Sequence, residues 1–242
     1  MPPGYSEIVE LIRREHAERG SPYLVSISGG IAVGKSWSAA RLRELLAHPA
    51  DLRVEVVSSD GFLYPNAVLD RLGLAARKGF PETYDRTGLV RFLTAVRARE
   101  PDATAPVYSH LTYDVADGDG YRVGRPDILI VEGLALLRAE PDDEVAGLFD
   151  LSLYLDADEL DLEAWFLLRF RGLHRAGAGD PTSFFHRFAG MGDDAVDELA
   201  RAVWRSVNAV NLHEHIRPAR DHARVIIEKG PDHSVRGIEL RG

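Results

Sequence analysis

Apolar residues along this chain alternate between short unbroken runs and longer stretches with helical spacing. The runs at 23–28, 53–58, 127–132, 150–155 and 222–228 are mostly apolar without clean alternation, Ile128-Leu129-Ile130-Val131 and Leu151-Ser152-Leu153-Tyr154-Leu155 being the clearest. Runs of this kind predict strands covered on both faces. Between them the spacing predicts helices over about 36–47, 87–99, 159–173 and 193–216, with a first helix over 6–19. In that first helix Ser6 is a candidate N-cap, and Ile8, Val9, Leu11 and Ile12 share the inward face. Ala40, Leu42, Leu45 and Leu46 fall at helical spacing in the second. Pro and Gly punctuate the elements in short clusters, with no internal repeat, low-complexity tract or linker. Strands alternating with helices imply right-handed βαβ crossovers and a largely parallel sheet with helices on both faces. Residues 1–242 are read as one α/β domain, with ligands gathering at the carboxyl ends of the strands.

Composition narrows the function classes. At 242 residues and 45% hydrophobic, the chain has enough apolar material for one such domain. A net charge of −9 argues against a general nucleic-acid binder, which carries a basic face. The absence of cysteine excludes disulfides, thiolate catalysis and Cys-ligated zinc. No apolar stretch approaches the roughly 20 residues a spanning helix needs. The residues Met1 to Ser6 lack a basic region followed by an apolar run. The expectation is a cytoplasmic protein without a membrane or nucleic-acid partner.

The candidate chemistry begins at the end of the first predicted strand. Gly29-Gly30-Ile31-Ala32-Val33-Gly34-Lys35-Ser36 is the pattern Gly, four residues, Gly-Lys-Ser, the Walker A phosphate loop, set between a strand and a helix. Its glycines let backbone N–H groups curl around a phosphate chain, and the helix N-terminus adds a positive partial charge. Lys35 is placed to neutralise the transferring phosphate, and the Ser36 hydroxyl to ligate Mg²⁺. The motif implies a nucleoside triphosphate as ligand and the P-loop nucleoside triphosphate hydrolase fold. The second strand ends at Ser58-Ser59-Asp60-Gly61-Phe62 and the next at Val131-Glu132-Gly133, so both bring a carboxylate beside the loop. Glu132 is read as a Walker-B-type metal or metal-water ligand, and Asp60 as the carboxylate that orients an acceptor hydroxyl and takes its proton. The structural alternatives are a helix-N-terminal acid and a turn aspartate.

Two other clusters carry less. Asp117-Gly118-Asp119-Gly120 lacks the third ligand and terminal Glu of a calcium loop and is read as a hairpin turn. His213 and His215 are two apart, on different faces of a helix, which argues against a shared metal.

With these residues in hand, the chain resembles the type I bacterial pantothenate kinases of the P-loop kinase superfamily. The resemblance runs from about Pro22 to the C-terminus. It rests on Ser59-Asp60-Gly61-Phe62-Leu63 with Pro65-Asn66, Lys78-Gly79-Phe80-Pro81-Glu82, and Ala105-Pro106-Val107-Tyr108-Ser109-His110-Leu111 with Tyr113-Asp114-Val115. Pro126-Asp127-Ile128-Leu129-Ile130 with Glu132-Gly133-Leu134, and Trp165 with Arg169-Phe170, complete it. It implies phosphorylation of pantothenate by ATP with Mg²⁺ as the first step of coenzyme A synthesis, feedback by coenzyme A, and a homodimer. By the same resemblance Asp60, Tyr108, His110, Tyr113, Arg169 and Asn211 face the substrate. Lys35, Ser36 and Trp37 lie along the nucleotide phosphates, and Lys229 and His233 on the adenine side. Arg169 would close over the transferring group from a helix leading into a lid at about 172–190, glycine-rich around 172–179.

The chain departs from the family pattern at several of these positions. Phe166 replaces a pocket tyrosine, Trp37 a small hydroxyl residue, Ala40 an arginine associated with coenzyme A, Leu173 an aromatic and Ala135 an asparagine. Most of the family's N-terminal helical extension is absent from the sequence. Two other readings therefore stand beside pantothenate kinase. One is a paralogous kinase acting on a nucleoside or other hydroxyl metabolite. The other is a nucleotide-binding switch without turnover, against which the retained Asp60 speaks.

Overall fold

A computed structural model describes residues 5–20, 22–48, 52–137 and 143–241. Four of the six N-terminal residues read above for a targeting signal lie outside them. The chain opens with helix α1 (Tyr5–Arg19), strand β1 (Tyr23–Gly29), helix α2 (Lys35–Ala47) and strand β2 (Val54–Ser58). Helices α3 (Asn66–Leu72) and α4 (Arg86–Arg97) follow, then four two-residue strands: β3 (Thr104–Ala105), β4 (Tyr108–Ser109), β5 (Asp114–Val115) and β6 (Tyr121–Arg122). Strands β7 (Ile128–Glu132) and β8 (Leu151–Asp156), helices α5 (Glu159–Gly177) and α6 (Asp193–Val203), and strands β9 (Val225–Lys229) and β10 (Val235–Leu240) complete the chain.

The central sheet has the order β10-β9-β8-β1-β7-β2. Every pair is parallel except β9 with β10. Both faces are covered, which is why the strands do not alternate in sequence. Tyr23, Val25 and Ile27 of β1, with Ile128 and Ile130 of β7, pack under α1, α2 and α5, whereas Leu24, Leu129 and Val131 pack against Leu89, Phe92, Leu93 and Val96 of α4. Strand β1 is thereby held between β7 and β8, and Gly29 emerges between their carboxyl ends. That is the crevice where α/β sheets bind ligands.

Several expectations are corrected in detail. The first helix starts at Tyr5, so Ser6 lies inside its first turn rather than capping it. Ala39, not Ala40, takes the inward position on α2, and Ala40 is exposed. The predicted strand 222–228 begins only at Val225, because a 3₁₀ turn occupies Pro218–His222. The hairpin tip is at 110–113, where Tyr113 has φ +56°, and not at Asp117–Gly120. Strands β3 and β6 pair below the tip and β4 and β5 pair next to it, so the Asp-Gly run is a bend within the returning arm. Helix α5 runs on through Gly177, so the first glycines of the expected lid are helical. The antiparallel edge strand β10 was not anticipated.

Candidate active site

The phosphate loop follows β1 because Gly34 adopts φ +95° and Ala32 φ +61°, folding the chain back before α2 begins at Lys35. Lys35 Nζ donates to the carbonyls of Gly29 (3.1 Å) and Gly30 (2.9 Å). Burial pushes its pKa down, and the carboxylates of Glu132 and Asp60 oppose that shift. The ammonium is thus held at the loop by backbone carbonyls, with both carboxylates near enough to act on it.

Glu132 ends β7, in register with Ile27 of β1 on one side and Ser58 of β2 on the other. It is buried, which pushes its carboxyl pKa up, with Lys35 opposing. Its Oε1 accepts from Ser36 Oγ at 3.0 Å. Mg²⁺ prefers hard oxygen donors and keeps most of its shell for water and phosphate, so one hydroxyl and one carboxylate side by side fit it. Among the described residues no group of three or more His, Cys, Asp or Glu side chains is placed to hold a metal by itself.

Asp60 sits on the 3₁₀ turn Ser59–Phe62 that continues β2, its N–H donating to Ser58 Oγ. Gly61 is required there: a Cβ would lie 1.9 Å from Pro106 O, so the turn packs directly on the hairpin arm. Tyr84 Oη donates to Asp60 Oδ1 at 3.4 Å, and burial followed by the Asp60 charge raises its pKa well above the ordinary value. Lys78 Nζ donates to Asn66 Oδ1 (2.6 Å) and Tyr113 O (2.7 Å) and lies 4.9 Å over the Tyr108 ring.

The hairpin tip brings Tyr108, His110 and Tyr113 to the same space, with Tyr108 edge-on to both neighbours and Tyr113 stacked on Phe184 at 4.7 Å. Burial raises the pKa of both phenols, while burial and then Arg169 lower that of His110. Helix α5 contributes Trp165, Phe166, Arg169 and Phe170 from successive turns. Trp165 donates through Nε1 to Pro231 O at 3.0 Å and stacks on His233 at 3.7 Å, fixing the β9–β10 connection over the loop. Phe184, Phe185 and Phe188 anchor the segment after α5 against Tyr113 and Phe170.

These elements enclose a cavity of about 370 Å³. Its wall includes Ile31, Ala32, Gly34, Lys35, Ser36, Glu132 and His233 at one end, and Asp60, Tyr108, His110, Tyr113, Phe166, Arg169 and Asn211 elsewhere. Gly29, Gly30 and Val33 of the same loop are buried and do not line the cavity. Trp37 and Lys229 are outside the wall: Trp37 is 57% exposed and edge-on to Tyr5, with Lys229 Nζ 5.6 Å from its ring. Lys78, Tyr84, Phe170 and Asn208 also line the cavity and were not singled out from sequence. Lys78 stands in one of the family blocks and Asn208 is one helical turn before Asn211, so both left a signal; Tyr84 left none. His213 and His215 point apart, one to Glu159 Oε2 at 2.7 Å and the other edge-on to Phe80.

No family model matches the chain. Among curated proteins it is 49% identical over 225 residues to the pantothenate kinase of Sorangium cellulosum, covering 91% of this chain and 73% of that one. It is 42% identical over 233 residues to the pantothenate kinase of Halalkalibacterium halodurans, covering 93% and 74%. Among solved structures, a candidate fructose transport system kinase from Silicibacter sp. TM1040 aligns at TM-score 0.70 and 26% identity over 90% of this chain and 94% of that one. D-glycerate 3-kinase from Cryptococcus neoformans shares the fold at TM-score 0.67 and 15% identity over 98% of each. The fold is that of the P-loop kinases, and at 40–49% identity across most of its length the chain belongs to the pantothenate kinase family.

Proposed function

We propose that this single-domain protein transfers the γ-phosphoryl group of ATP to the primary hydroxyl of pantothenate, giving 4′-phosphopantothenate and ADP. The observation that carries the reading is the position of Asp60, in one cavity wall with Lys35, Glu132 and the Tyr108–Tyr113 hairpin tip. In the reaction the pantothenate oxygen forms a bond to the γ-phosphorus as the bond to the β,γ-bridging oxygen breaks. Asp60 aligns that hydroxyl and takes its proton. Phosphoryl transfer asks the protein chiefly for alignment and charge neutralisation, which the loop amides and Lys35 supply along the β- and γ-phosphates. Ser36 and Glu132 are the residues that would hold Mg²⁺, which would supply further charge neutralisation along the phosphates.

Arg169, exposed on α5 at the cavity, is the residue for closing over the transferring group. The segment after α5, about 178–190, is the lid that excludes water. Tyr108, His110, Tyr113 and Asn211 bind the rest of pantothenate, and His233 with Lys229 the adenine side. Phe166 supports a second reading, a kinase for another hydroxyl metabolite, because its ring packs on Phe170 and Trp204 and offers no hydrogen bond. A coupled assay of ADP release over pantothenate, nucleosides and pentose phosphates tests both. Pantothenate should be the best acceptor, and a nucleoside or sugar turned over more efficiently would replace it. A cytoplasmic homodimer with coenzyme A as feedback ligand belongs to the same reading.

A further inference from the structure

The helical stretch that follows α6 does not continue as an α-helix. Trp204–Asn208 and Leu212–Ile216 are π-helical, with Ala209–Asn211 α-helical between them. Such segments are rare and occur frequently at functional sites. Asn208 closes the first and Asn211 immediately precedes the second. Three residues apart, they share a helix face, and both line the cavity.

Asn211 is oriented by its amide, which donates from Nδ2 to Gly79 O at 2.9 Å. Its buried Oδ1 then has no hydrogen-bond partner among the described residues, and neither has the buried Nδ2 of Asn208. A buried polar atom left unpaired is costly, and native structures keep few of them. Here an unpaired donor and an unpaired acceptor stand in the same wall. A carboxylate brings only acceptors and would oppose Asn211 Oδ1; an ammonium brings only donors and would oppose Asn208 Nδ2. A neutral hydroxyl suits both, accepting from Asn208 and donating to Asn211.

We propose that Asn208 is a specificity-determining residue that forms, with Asn211, a subsite for a neutral substrate hydroxyl other than the one phosphorylated. The inference rests on the pantothenate reading, in which this group is the secondary hydroxyl beside the amide. Asn208→Leu removes the amide at nearly constant shape. Steady-state kinetics with pantothenate and with its analogue lacking the secondary hydroxyl, together with thermal melting, test it. The wild type should favour pantothenate over the analogue about tenfold in kcat/KM, the scale of one buried hydrogen bond. Asn208→Leu should raise KM for pantothenate about tenfold, leave the analogue and ATP kinetics nearly unchanged, and erase the preference. Its melting temperature should hold or rise, since an unpaired buried N–H is removed. Asn208→Asp, which places an anionic acceptor beside Asn211 Oδ1, should lose the preference too and serves if the Leu variant fails to fold. An intact preference in these variants, or an equal loss on both substrates with lowered melting, overturns the subsite alone. A wild type that does not phosphorylate pantothenate overturns the underlying reading as well.

Discussion

Ser36 Oγ donates to Glu132 Oε1 at 3.0 Å, so the first turn of α2 and the carboxyl end of β7 meet in one hydrogen bond beside the phosphate loop. The pair sets a hydroxyl and a carboxylate side by side at the loop, the two groups proposed above to hold Mg²⁺. Glu132→Gln keeps the acceptor and the shape but removes the charge. The Mg²⁺ concentration for half-maximal turnover should rise about tenfold, the loss of one charge-assisted contact. Turnover titrated with Mg²⁺ at saturating ATP measures it, and an unchanged requirement would remove Glu132 from the metal site.

Lys35→Met should abolish turnover and spare the fold. Loss of transition-state charge stabilisation worth about 4 kcal/mol is roughly a thousandfold in rate. Among the described residues the ammonium donates to the carbonyls of Gly29 and Gly30, so melting without nucleotide should move little. Near-normal kinase activity in the variant would contradict its role at the phosphates.

Asp60→Asn is nearly isosteric but cannot take the hydroxyl proton. It should lower kcat far more than it weakens ATP binding, because the defect lies in the chemical step. Nucleotide affinity and turnover are measured separately; equal losses in both would make Asp60 a nucleotide or metal ligand instead.

Glu15 ties α1 to the amino ends of β1 and β9. Both its oxygens accept from Arg224 (2.7 and 2.9 Å), and Tyr23 Oη donates to Oε2 at 2.6 Å. The Arg224 hydrogen bonds, against the desolvation of burial, hold the Glu15 carboxyl down at about 2, from an ordinary value of 4.5. A depressed carboxyl stabilises the fold above its unfolded value and loses that contribution as pH falls through the folded value. The displacement corresponds to at most ~3 kcal/mol, and the 40% exposed Arg224 side chain reduces it by solvent screening to about 2 kcal/mol. Glu15→Gln should therefore melt roughly 4–8 °C below wild type at pH 7. The gap should close between pH 4.5 and about 2. A gap independent of pH would mean packing, not charge, holds the pair.

Coenzyme A should inhibit this enzyme more weakly than relatives with arginine at the position of Ala40. One arginine–phosphate contact contributes on the order of 1.5–3 kcal/mol, or roughly 10- to 150-fold in affinity. Arg41 lies about 100° further round α2 and its Nη1 is paired with Glu44 Oε2 at 2.6 Å, so the expectation is that it does not replace that contact. Titrating coenzyme A against turnover should show tighter inhibition in Ala40→Arg, whose site is exposed, and no change in Arg41→Ala. Strong wild-type inhibition lost in Arg41→Ala would reverse the assignment.

What the sequence by itself determined is local. Mostly apolar runs marked β1, β7 and β8, and the glycine spacing before Lys35-Ser36 marked a phosphate loop, since each depends on neighbours within a few residues. The carboxylates at the strand ends, Asp60 and Glu132, followed once a parallel sheet was inferred. Only the tertiary structure decided what crosses between elements. Tyr84 reaches Asp60 from a segment with no motif of its own, and His233 lies over the loop because Trp165, 68 positions earlier, stacks on it. Trp37 turns out beside Tyr5 rather than in the cavity. The two π-helical segments around Asn211 have the same apolar period as an ordinary helix, so nothing in the residue pattern announced them. Periodicity reports which face is buried, whereas the partner buried against it is chosen by packing of segments distant in the chain.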